Sequence, residues 1–207
     1  MIVIIDYNMG NVGSIRNMLK RIGVKATISS DPEVIAHATA LILPGVGSFD
    51  TGMTSLEETG LRQLLDQLVL ERNVPVLGIC LGMQLLCRSS EEGDISGLGW
   101  IEADVVRFRF EHDDRSLKIP HMGWNSVEVT RGDSLFQGHP DHPRYYFVHS
   151  YHVVCDRSQN ILATAHHGYE FVAAVRNKNI YGTQFHPEKS HHSGKQLLAE
   201  FVNLLRC

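Results

Sequence analysis

The amino-acid sequence predicts an α/β fold: a single domain with a mostly parallel central sheet flanked by helices, plus antiparallel strands in the C-terminal half. In the first half of the chain, short and nearly continuous apolar runs alternate with helical patterns, which is typical of parallel strands covered on both faces. In the second half, short β-rich runs follow one another between polar turns. No repeat, low-complexity tract or Pro/Gly-rich linker divides the chain, so we expect one domain over residues 1–207.

The first half contains three predicted strands, Ile2–Ile5, Ala40–Leu43 and Val74–Ile79. Between them, apolar residues recur at helical spacing. These positions are Ile15, Met18, Leu19 and Ile22, followed by Leu61, Leu64, Leu65, Leu68 and Val69. Asp31-Pro32 predicts another helix start, because aspartate is a favoured N-cap and proline a favoured first helical residue. A short helix over Gly82–Arg88 is expected after the third strand.

The second half contains seven short β-rich runs, several of which we expect to pair antiparallel. The runs are Asp104–Phe110, Ser126–Thr130, Tyr145–Val148, Tyr151–Cys155, Ile161–His166, Phe171–Arg176 and Ile180–Phe185. The chain then returns to a helical pattern, whose apolar face carries Leu197, Leu198, Phe201, Val202 and Leu205.

Composition and charge narrow the classes of function. The chain has 23 acidic and 19 basic residues, a formal charge of −4, and no basic cluster that would attract nucleic acid. The apolar start, Met1–Ile5, is too short for a signal peptide, and no apolar run reaches the length of a membrane span. The four cysteines form no CxxC pair, and the twelve histidines lack metal-site spacing. We therefore expect a cytoplasmic protein without a metal, a cofactor, a membrane anchor or a nucleic-acid partner.

The segment Gly78-Ile-Cys80-Leu-Gly82 lies where a predicted strand ends and a helix begins. This is the setting of a nucleophile elbow, with cysteine in the position that hydrolases give to serine. Glycines on both sides permit a sharp turn, and the N-terminus of the following helix favours a thiolate. The alternative is a buried structural cysteine followed by a glycine-rich turn. Cys87, Cys155 and Cys207 lack the elbow context, and Cys87 is expected to pack inward.

The segment Phe185-His186-Pro187-Glu188 offers a base and a carboxylate to orient it. Pro187 favours an extended conformation at His186, and residues two apart in an extended chain point to the same side. Glu188 is thus expected to reach one ring nitrogen while the other faces a substrate, as nucleophilic catalysis requires. The alternative is a surface turn with a chance His–Glu pair.

The segment Pro44-Gly45-Val46-Gly47-Ser48 follows the second predicted strand. If parallel strands bring it beside the elbow, its backbone N–H groups are suited to stabilise an oxyanion, and its glycines let the peptide planes rotate. The alternative is a plain turn between a strand and a helix. By contrast, Glu91–Asp94 is expected to be a solvated loop rather than a pair of catalytic carboxylates.

Together, and in this order, the three segments resemble the triad-type (class I) glutamine amidotransferase family. The resemblance covers essentially the whole chain and implies the flavodoxin-like fold of that family. Several longer segments resemble one branch of the family in particular. They are Ile4–Ser14, Pro44–Phe49, Pro120–Asn125, Phe147–Tyr151 and Gln184–Ser190.

The resemblance implies a role for each matching residue. Cys80 would be the nucleophile, His186 the base and Glu188 the residue that orients it. Val46, Gly47 and Leu81 would contribute N–H groups to an oxyanion hole. Gly47, Gln84, Ser150 and Tyr151 would bind the substrate glutamine, while Trp124 and Lys189 would lie at an interface with a partner.

The resemblance also implies a partner. In this branch, the amidotransferase subunit would release ammonia from glutamine. A separate cyclase subunit, shaped as a (β/α)₈ barrel, binds a phosphorylated ribonucleotide and consumes that ammonia. The chain itself has no P-loop and no GxGxxG segment. The main alternative is a glutaminase that serves pyridoxal phosphate, anthranilate or nucleotide synthesis. Two others are a cysteine peptidase or γ-glutamyl hydrolase that acts without a partner, and a non-catalytic scaffold.

Overall fold

The structure is a computed structural model that describes residues 1–110, 117–130, 132 and 134–206. Cys207 lies outside the described residues. The strands are β1 (Ile2–Ile5), β2 (Ala26–Ser29), β3 (Ala40–Gly45), β4 (Val76–Cys80), β5 (Ser89–Ser90), β6 (Ala103–Arg107), β7 (His121–Ser126), β8 (Glu128–Val129), β9 (Arg144–His149), β10 (Tyr151–Cys155), β11 (Ile161–His167), β12 (Tyr169–Asn177) and β13 (Ile180–Thr183).

The helices are α1 (Val12–Arg21), α2 (Pro32–Ala36), α3 (Phe49–Glu58), α4 (Leu61–Asp66), α5 (Leu81–Leu85) and α6 (His191–Asn203). A π-helical turn over Gln67–Glu71 continues α4. Short 3₁₀ turns cover Ser134–Phe136, Ser158–Asn160, Pro187–Lys189 and Leu204–Arg206. No helix among the described residues is long and apolar enough to cross a membrane.

The main sheet confirms the predicted fold class. Its parallel part has the order β2-β1-β3-β4-β13, and antiparallel strands β12, β10 and β6 continue it from β13. Strand β5 pairs parallel with β6, while β11 pairs antiparallel with both β12 and β8. Strands β7 and β9 form a separate antiparallel ribbon.

Two hydrophobic clusters cover the two faces of the sheet. Alternate residues of β1 enter them in turn: Val3 and Ile5 join the cluster that also contains the apolar faces of α2 to α5, whereas Ile2 and Ile4 join the cluster with α1 and α6. Because both faces of the strand are buried, each position gains from an apolar side chain. This explains why the run Ile2–Ile5 is continuously apolar rather than alternating.

The predicted start of α2 is confirmed. The Asp31 carboxylate accepts a hydrogen bond from the backbone N–H of Glu33 (2.9 Å), and Pro32 occupies the first helical position. The side chain of Asn11 caps α1 in the same way by accepting from Ser14 N (3.2 Å). These caps satisfy N–H groups that a helix cannot pair internally.

Several predicted boundaries were wrong. The run Ser126–Thr130 is not one strand, because Ser126 ends β7 and only Glu128–Val129 forms β8. The helix expected over Gly82–Arg88 begins at Leu81 and ends at Leu85. The strand expected to reach Phe185 ends at Thr183, the last of its residues that is paired with β4 and β12.

Candidate active site

Cys80 ends β4 and immediately precedes α5, so the predicted strand-to-helix elbow is present. Its backbone has φ 55° and ψ −109°, which is a strained conformation for any residue with a Cβ. Non-glycine residues in such conformations cluster at functional sites, where the surrounding structure holds them in place. Here the surrounding structure is close backbone packing at the flanking glycines.

Three glycines allow the elbow to form because backbone atoms occupy the space of their missing side chains. A Cβ on Gly78 would lie 2.7 Å from the Gly82 carbonyl oxygen, and one on Gly82 would lie 1.9 Å from the Leu43 carbonyl oxygen. A Cβ on Gly45 would lie 2.8 Å from the Gly82 backbone nitrogen and 2.7 Å from the Leu81 Cβ. The glycines therefore let the ends of β3, β4 and α5 approach one another more closely than side chains permit.

The Pro44–Ser48 segment lies beside the elbow, as expected for neighbouring parallel strands. Gly45 and Cys80 are directly paired across β3 and β4. Gly47 has φ +113°, a conformation that other residues rarely adopt, and the Val46 side chain is 45% exposed. The fully buried Tyr7 hydroxyl donates a hydrogen bond to the Pro44 carbonyl (2.5 Å) and anchors the start of the segment.

His186 and Glu188 form a buried pair. The distance from His186 Nδ1 to Glu188 Oε1 is 2.8 Å, and both side chains are 2% exposed. His186 has the extended backbone that Pro187 favours, with φ −100° and ψ 98°. Within the described residues, His186 Nε2 is buried and makes no hydrogen bond. One ring nitrogen is thus held by the carboxylate while the other remains available.

The pKa of His186 reflects these neighbours. Burial lowers the pKa, but the side chains of Cys80 and Glu188 outweigh burial and raise it from the ordinary 6.5 to about 9. No hydrogen bond of normal geometry joins Nε2 to the Cys80 sulfur, so we attribute the effect of Cys80 to the charge of its thiolate form. The imidazolium is consequently favoured whenever both neighbours are negatively charged.

A cavity of about 310 Å³ joins the elbow to His186. Its lining includes predicted site residues from all parts of the chain: Val46, Gly47, Cys80, Leu81, Gln84, Ser150, Tyr151 and His186. Four further lining residues were not predicted: Glu92, Pro120, Val148 and His149. The expectation of a solvated loop was wrong for Glu92, which is half-buried and accepts from Phe49 N (2.9 Å).

A second glutamine, Gln184, was also missed. Gln84 Nε2 donates to the Tyr151 carbonyl (3.1 Å) and to Gln184 Oε1 (3.0 Å), and Gln184 Nε2 lies 3.8 Å from the Cys80 sulfur. The sulfur itself lies 3.9 Å from the Val148 carbonyl oxygen. Gln184 opens the Gln184–Ser190 segment, which resembles one branch of the family, and it precedes His186 by two positions.

The other expected residues lie outside the cavity. Trp124 is 41% exposed and stacks on His191, with ring centroids 5.4 Å apart. Lys189 is exposed, and its Nζ lies 5.8 Å from the centre of the Tyr146 ring, which Trp124 also contacts edge-on. Cys87 is fully buried, as expected, and Cys155 is half-buried. No group of three or more potential metal ligands occurs among the described residues.

Comparison with known proteins agrees with this geometry. A family model described as glutamine amidotransferase class-I matches residues 3–204. The chain belongs to the class I glutamine amidotransferase family. This amidotransferase is 54% identical over 202 residues to the imidazole glycerol phosphate synthase subunit HisH 2 of Methanococcus maripaludis, covering 98% of each chain. It is 49% identical to the subunit of the same name from Pseudomonas aeruginosa, covering 99% of this chain and 100% of that one.

Solved structures share the amidotransferase fold at lower identity. A putative GMP synthase protein from Thermoplasma acidophilum superposes with a TM-score of 0.74 at 22% identity, covering 100% of this chain and 94% of that one. PurLQS from Thermotoga maritima gives a TM-score of 0.76 at 19% identity, covering 99% and 98%. These two likenesses concern the fold alone.

Proposed function

We propose that this class I amidotransferase is the glutaminase subunit of an imidazole glycerol phosphate synthase. In this proposal it hydrolyses glutamine to glutamate and ammonia through Cys80, His186 and Glu188. The observation that carries the proposal is the buried His186–Glu188 pair, whose second ring nitrogen shares a cavity with the cysteine at the elbow. The relatives at 45–54% identity, all named as subunits of this synthase, support the choice among glutaminases over the pyridoxal phosphate, anthranilate and nucleotide alternatives.

The first half of the reaction forms a thioester. His186 Nε2 takes the proton of the Cys80 thiol, and the sulfur attacks the side-chain amide carbon of glutamine. The resulting oxyanion accepts hydrogen bonds from the N–H of Leu81 and from the N–H groups of the Val46–Gly47 segment. The imidazolium then gives its proton to the amide nitrogen, the carbon–nitrogen bond breaks, and ammonia leaves.

The second half regenerates the enzyme. Water loses a proton to His186 Nε2 and attacks the thioester carbon, after which the sulfur leaves and is protonated by the imidazolium. Glu188 stabilises the imidazolium in both halves and keeps the ring in one orientation. The products are glutamate and ammonia.

Gly47, Gln84, Ser150 and Tyr151 bind the glutamine in this proposal. Both hydrogen bonds of Gln84 Nε2 are made to protein carbonyl oxygens, so neither uses Oε1. That oxygen therefore serves as the acceptor for a donor on the substrate, such as the α-ammonium group. The Ser150 carbonyl is held by the N–H of Phe108 (3.1 Å), which stabilises the segment that presents Ser150 and Tyr151.

The partner of this subunit is the cyclase subunit of the synthase, a (β/α)₈ barrel, with which it forms a heterodimer. The cyclase uses the ammonia to form imidazole glycerol phosphate and an aminoimidazole carboxamide ribonucleotide in histidine biosynthesis. Exposed Met122, Trp124, Lys189 and His191 lie around the half-buried Tyr146 and form a patch that suits this contact, because exposed aromatic residues and a nearby cation are typical of binding surfaces.

We further propose that residues 1–207 act as one glutaminase domain and that the reaction takes place in the cytoplasm. The reaction needs a reduced thiol at Cys80, and the cytoplasm keeps thiols reduced. It requires no metal or cofactor, because the thiol, the imidazole and the backbone N–H groups supply every step.

Steady-state release of glutamate tests the proposal. We expect slow release by the lone chain, and faster release when the nucleotide is present together with the cyclase subunit. An oxyanion donor that is gained or lost by rotation of a peptide at Gly47 would change the rate by about a hundred- to a thousandfold. Activation by the partner of a different synthase would favour the other glutaminases. No glutamate under any condition would contradict the proposal. Equal rates for the lone chain, the complex and the complex with nucleotide would refute activation by the partner and the nucleotide.

A further inference from the structure

Two buried histidines face each other across the β7–β9 ribbon. His121 and His149 are direct partners in the antiparallel ladder, and each is 6% exposed. Side chains of such partners stand close together on one face, and here His121 Nδ1 lies 3.0 Å from His149 Nε2. His149 also lines the cavity that contains Cys80 and His186. Neither histidine has a part in the reaction derived above.

The surroundings allow only one distribution of protons over the pair. His149 Nδ1 lies 2.8 Å from the Tyr151 carbonyl oxygen, which can only accept, so Nδ1 carries the proton. In the neutral ring, Nε2 is then an acceptor, and His121 Nδ1 must donate to it. His121 Nε2 accepts in turn from the amide nitrogen of Asn125 (3.2 Å). A second proton on either ring would turn one of these short contacts into two donors facing each other.

The electrostatics of the cluster agree with neutral rings. Burial lowers the pKa of His121 to about 4, and burial also holds the pKa of His149 well below its ordinary range. His167 stacks on His121 with centroids 4.3 Å apart, while His152 and the aromatic rings of Phe108 and Phe171 pack around His149. A charged imidazole is unfavourable among these apolar rings and further histidines.

The series of hydrogen bonds that begins at His121 and His149 continues to the glutamine-binding residues. The Tyr151 carbonyl accepts from His149 and also from Gln84 Nε2 (3.1 Å), so both of its lone pairs are occupied. Gln84 then donates to Gln184, whose amide nitrogen lies 3.8 Å from the Cys80 sulfur. The orientation of the Gln84 amide thus depends on the Tyr151 carbonyl as well as on Gln184, and His149 is the other donor to that carbonyl.

We propose that His121 and His149, as a neutral donor pair, position the Tyr151 carbonyl and the Gln84 amide for binding of glutamine. The inference rests on the proposed glutaminase function. Both histidines act through Tyr151 and Gln84, so they are positioning residues. Their removal is expected to weaken glutamine binding while the chemistry at Cys80 continues.

Kinetics of matched variants test this inference in the complex with nucleotide and the cyclase subunit. His121→Phe keeps a ring but removes the donor to His149, whereas His121→Asn keeps an amide donor near the position of Nδ1. His152→Phe is the control, since His152 is equally buried in the same aromatic cluster but bonds to Tyr169 (2.9 Å) rather than to His149. For His121→Phe we expect the KM for glutamine to rise about tenfold, the order expected when the Gln84 amide, no longer held in place by the Tyr151 carbonyl, loses one hydrogen bond to the substrate.

The expected pattern is a KM effect with kcat within about threefold, rescue by His121→Asn to within about threefold of the wild type, and little change in His152→Phe. An unchanged KM in a folded His121→Phe complex, or equal effects at His121 and His152, would overturn the inference. A wild-type complex without glutaminase activity would instead contradict the proposed function.

Nitrogen-15 NMR of the histidine-labelled wild-type chain gives a second test that does not depend on whether a variant folds. Imidazole nitrogen shifts distinguish a protonated from an unprotonated ring nitrogen. We expect both His121 and His149 to carry their proton on Nδ1 at neutral pH. A proton on Nε2 of either ring, or an imidazolium at either position, would overturn the proposed arrangement.

Discussion

Exchange of Glu188 for glutamine is the perturbation whose size follows most directly from the structure. The substitution keeps the shape of the side chain and removes the charge that faces His186 Nδ1 at 2.8 Å. The difference between a pKa of about 9 and the ordinary 6.5 corresponds to about 3 kcal/mol in favour of the imidazolium. Cys80 and Glu188 together supply at least this amount, because burial acts in the opposite direction.

If Glu188 supplies between half and all of that net amount, its loss raises the barrier by about 1.5–3 kcal/mol, or about ten- to a hundredfold in kcat. The KM for glutamine should change little, because Glu188 does not line the cavity. The assay measures glutamate release at saturating glutamine by the chain in complex with the cyclase subunit and nucleotide. Glu91→Gln serves as the matched control, since Glu91 is exposed and bonds to Arg109 and to the Arg107 N–H.

Synthesis from added ammonium salt should be unaffected in Glu188→Gln, which would show that the cyclase partner remains docked and active. A kcat within about twofold of the wild type would refute the reasoning, as would a loss confined to KM. Equal losses in Glu188→Gln and Glu91→Gln would mean that the effect does not depend on His186.

The same pKa predicts how stability depends on pH. Folding raises the pKa of His186 from about 6.5 in the unfolded chain to about 9 in the folded chain. The protonated ring therefore stabilises the fold fully below about pH 6.5, and this stabilisation is lost as the pH rises through about 9. Wild type should therefore exceed Glu188→Gln in Tm at pH 6, and the difference should disappear by about pH 10. A constant difference across this range would contradict the assigned pKa.

Three further predictions concern the elbow, the oxyanion segment and the partner surface. Gly82→Ala should lower the free energy of unfolding by at least about 3 kcal/mol in denaturant titration, because its Cβ would lie 1.9 Å from a backbone oxygen. The control Gly13→Ala, whose Cβ would lie in open space within α1, should raise the free energy of unfolding by about 0.5–1 kcal/mol. If the two substitutions changed stability alike, the packing argument would be refuted. Tyr7→Phe should cost about 1–2 kcal/mol and lower kcat more than it changes KM, because the Pro44 carbonyl loses its buried donor; an unchanged kcat in a folded variant would separate Tyr7 from the oxyanion segment. Trp124→Ala should weaken binding of the cyclase subunit at least about tenfold in calorimetric titration, while glutamate release by the lone chain stays the same. Lys189→Ala should also weaken binding of the cyclase subunit. Unchanged affinity in both variants would place the interface elsewhere.

The elements that the sequence predicted best are those whose patterns follow from burial on both sides. Ile2–Ile5 is apolar throughout because its residues alternate between two hydrophobic clusters. Strand β2 was not predicted, since Ala26–Ser29 lies at the edge of the sheet and is only partly buried. Helix α3 was also missed, because Phe49–Glu58 contains a glycine and two threonines and so lacks a strong helical preference.

The residues of the candidate site also fall into those that the sequence could predict and those that it could not. Cys80, His186 and Glu188 could be predicted because local chain geometry determines the elbow and the His–Pro–Glu arrangement. Gln184, Tyr7 and His149 could not, because their significance depends on contacts between distant parts of the chain. Gln184 reaches a sulfur 104 positions away, and Tyr7 reaches a carbonyl 37 positions away. Only the strand order brings these groups together.

The most direct test of the central claim is to identify the residue that bonds covalently to the substrate. The chain, in complex with nucleotide and the cyclase subunit, would be treated with a glutamine analogue that carries an electrophilic carbon at the amide position, and then mapped by peptide mass spectrometry. We predict one adduct on Cys80, no adduct on Cys87 or Cys155, and protection by excess glutamine. An adduct on another cysteine, or continued release of glutamate by Cys80→Ala, would contradict the account.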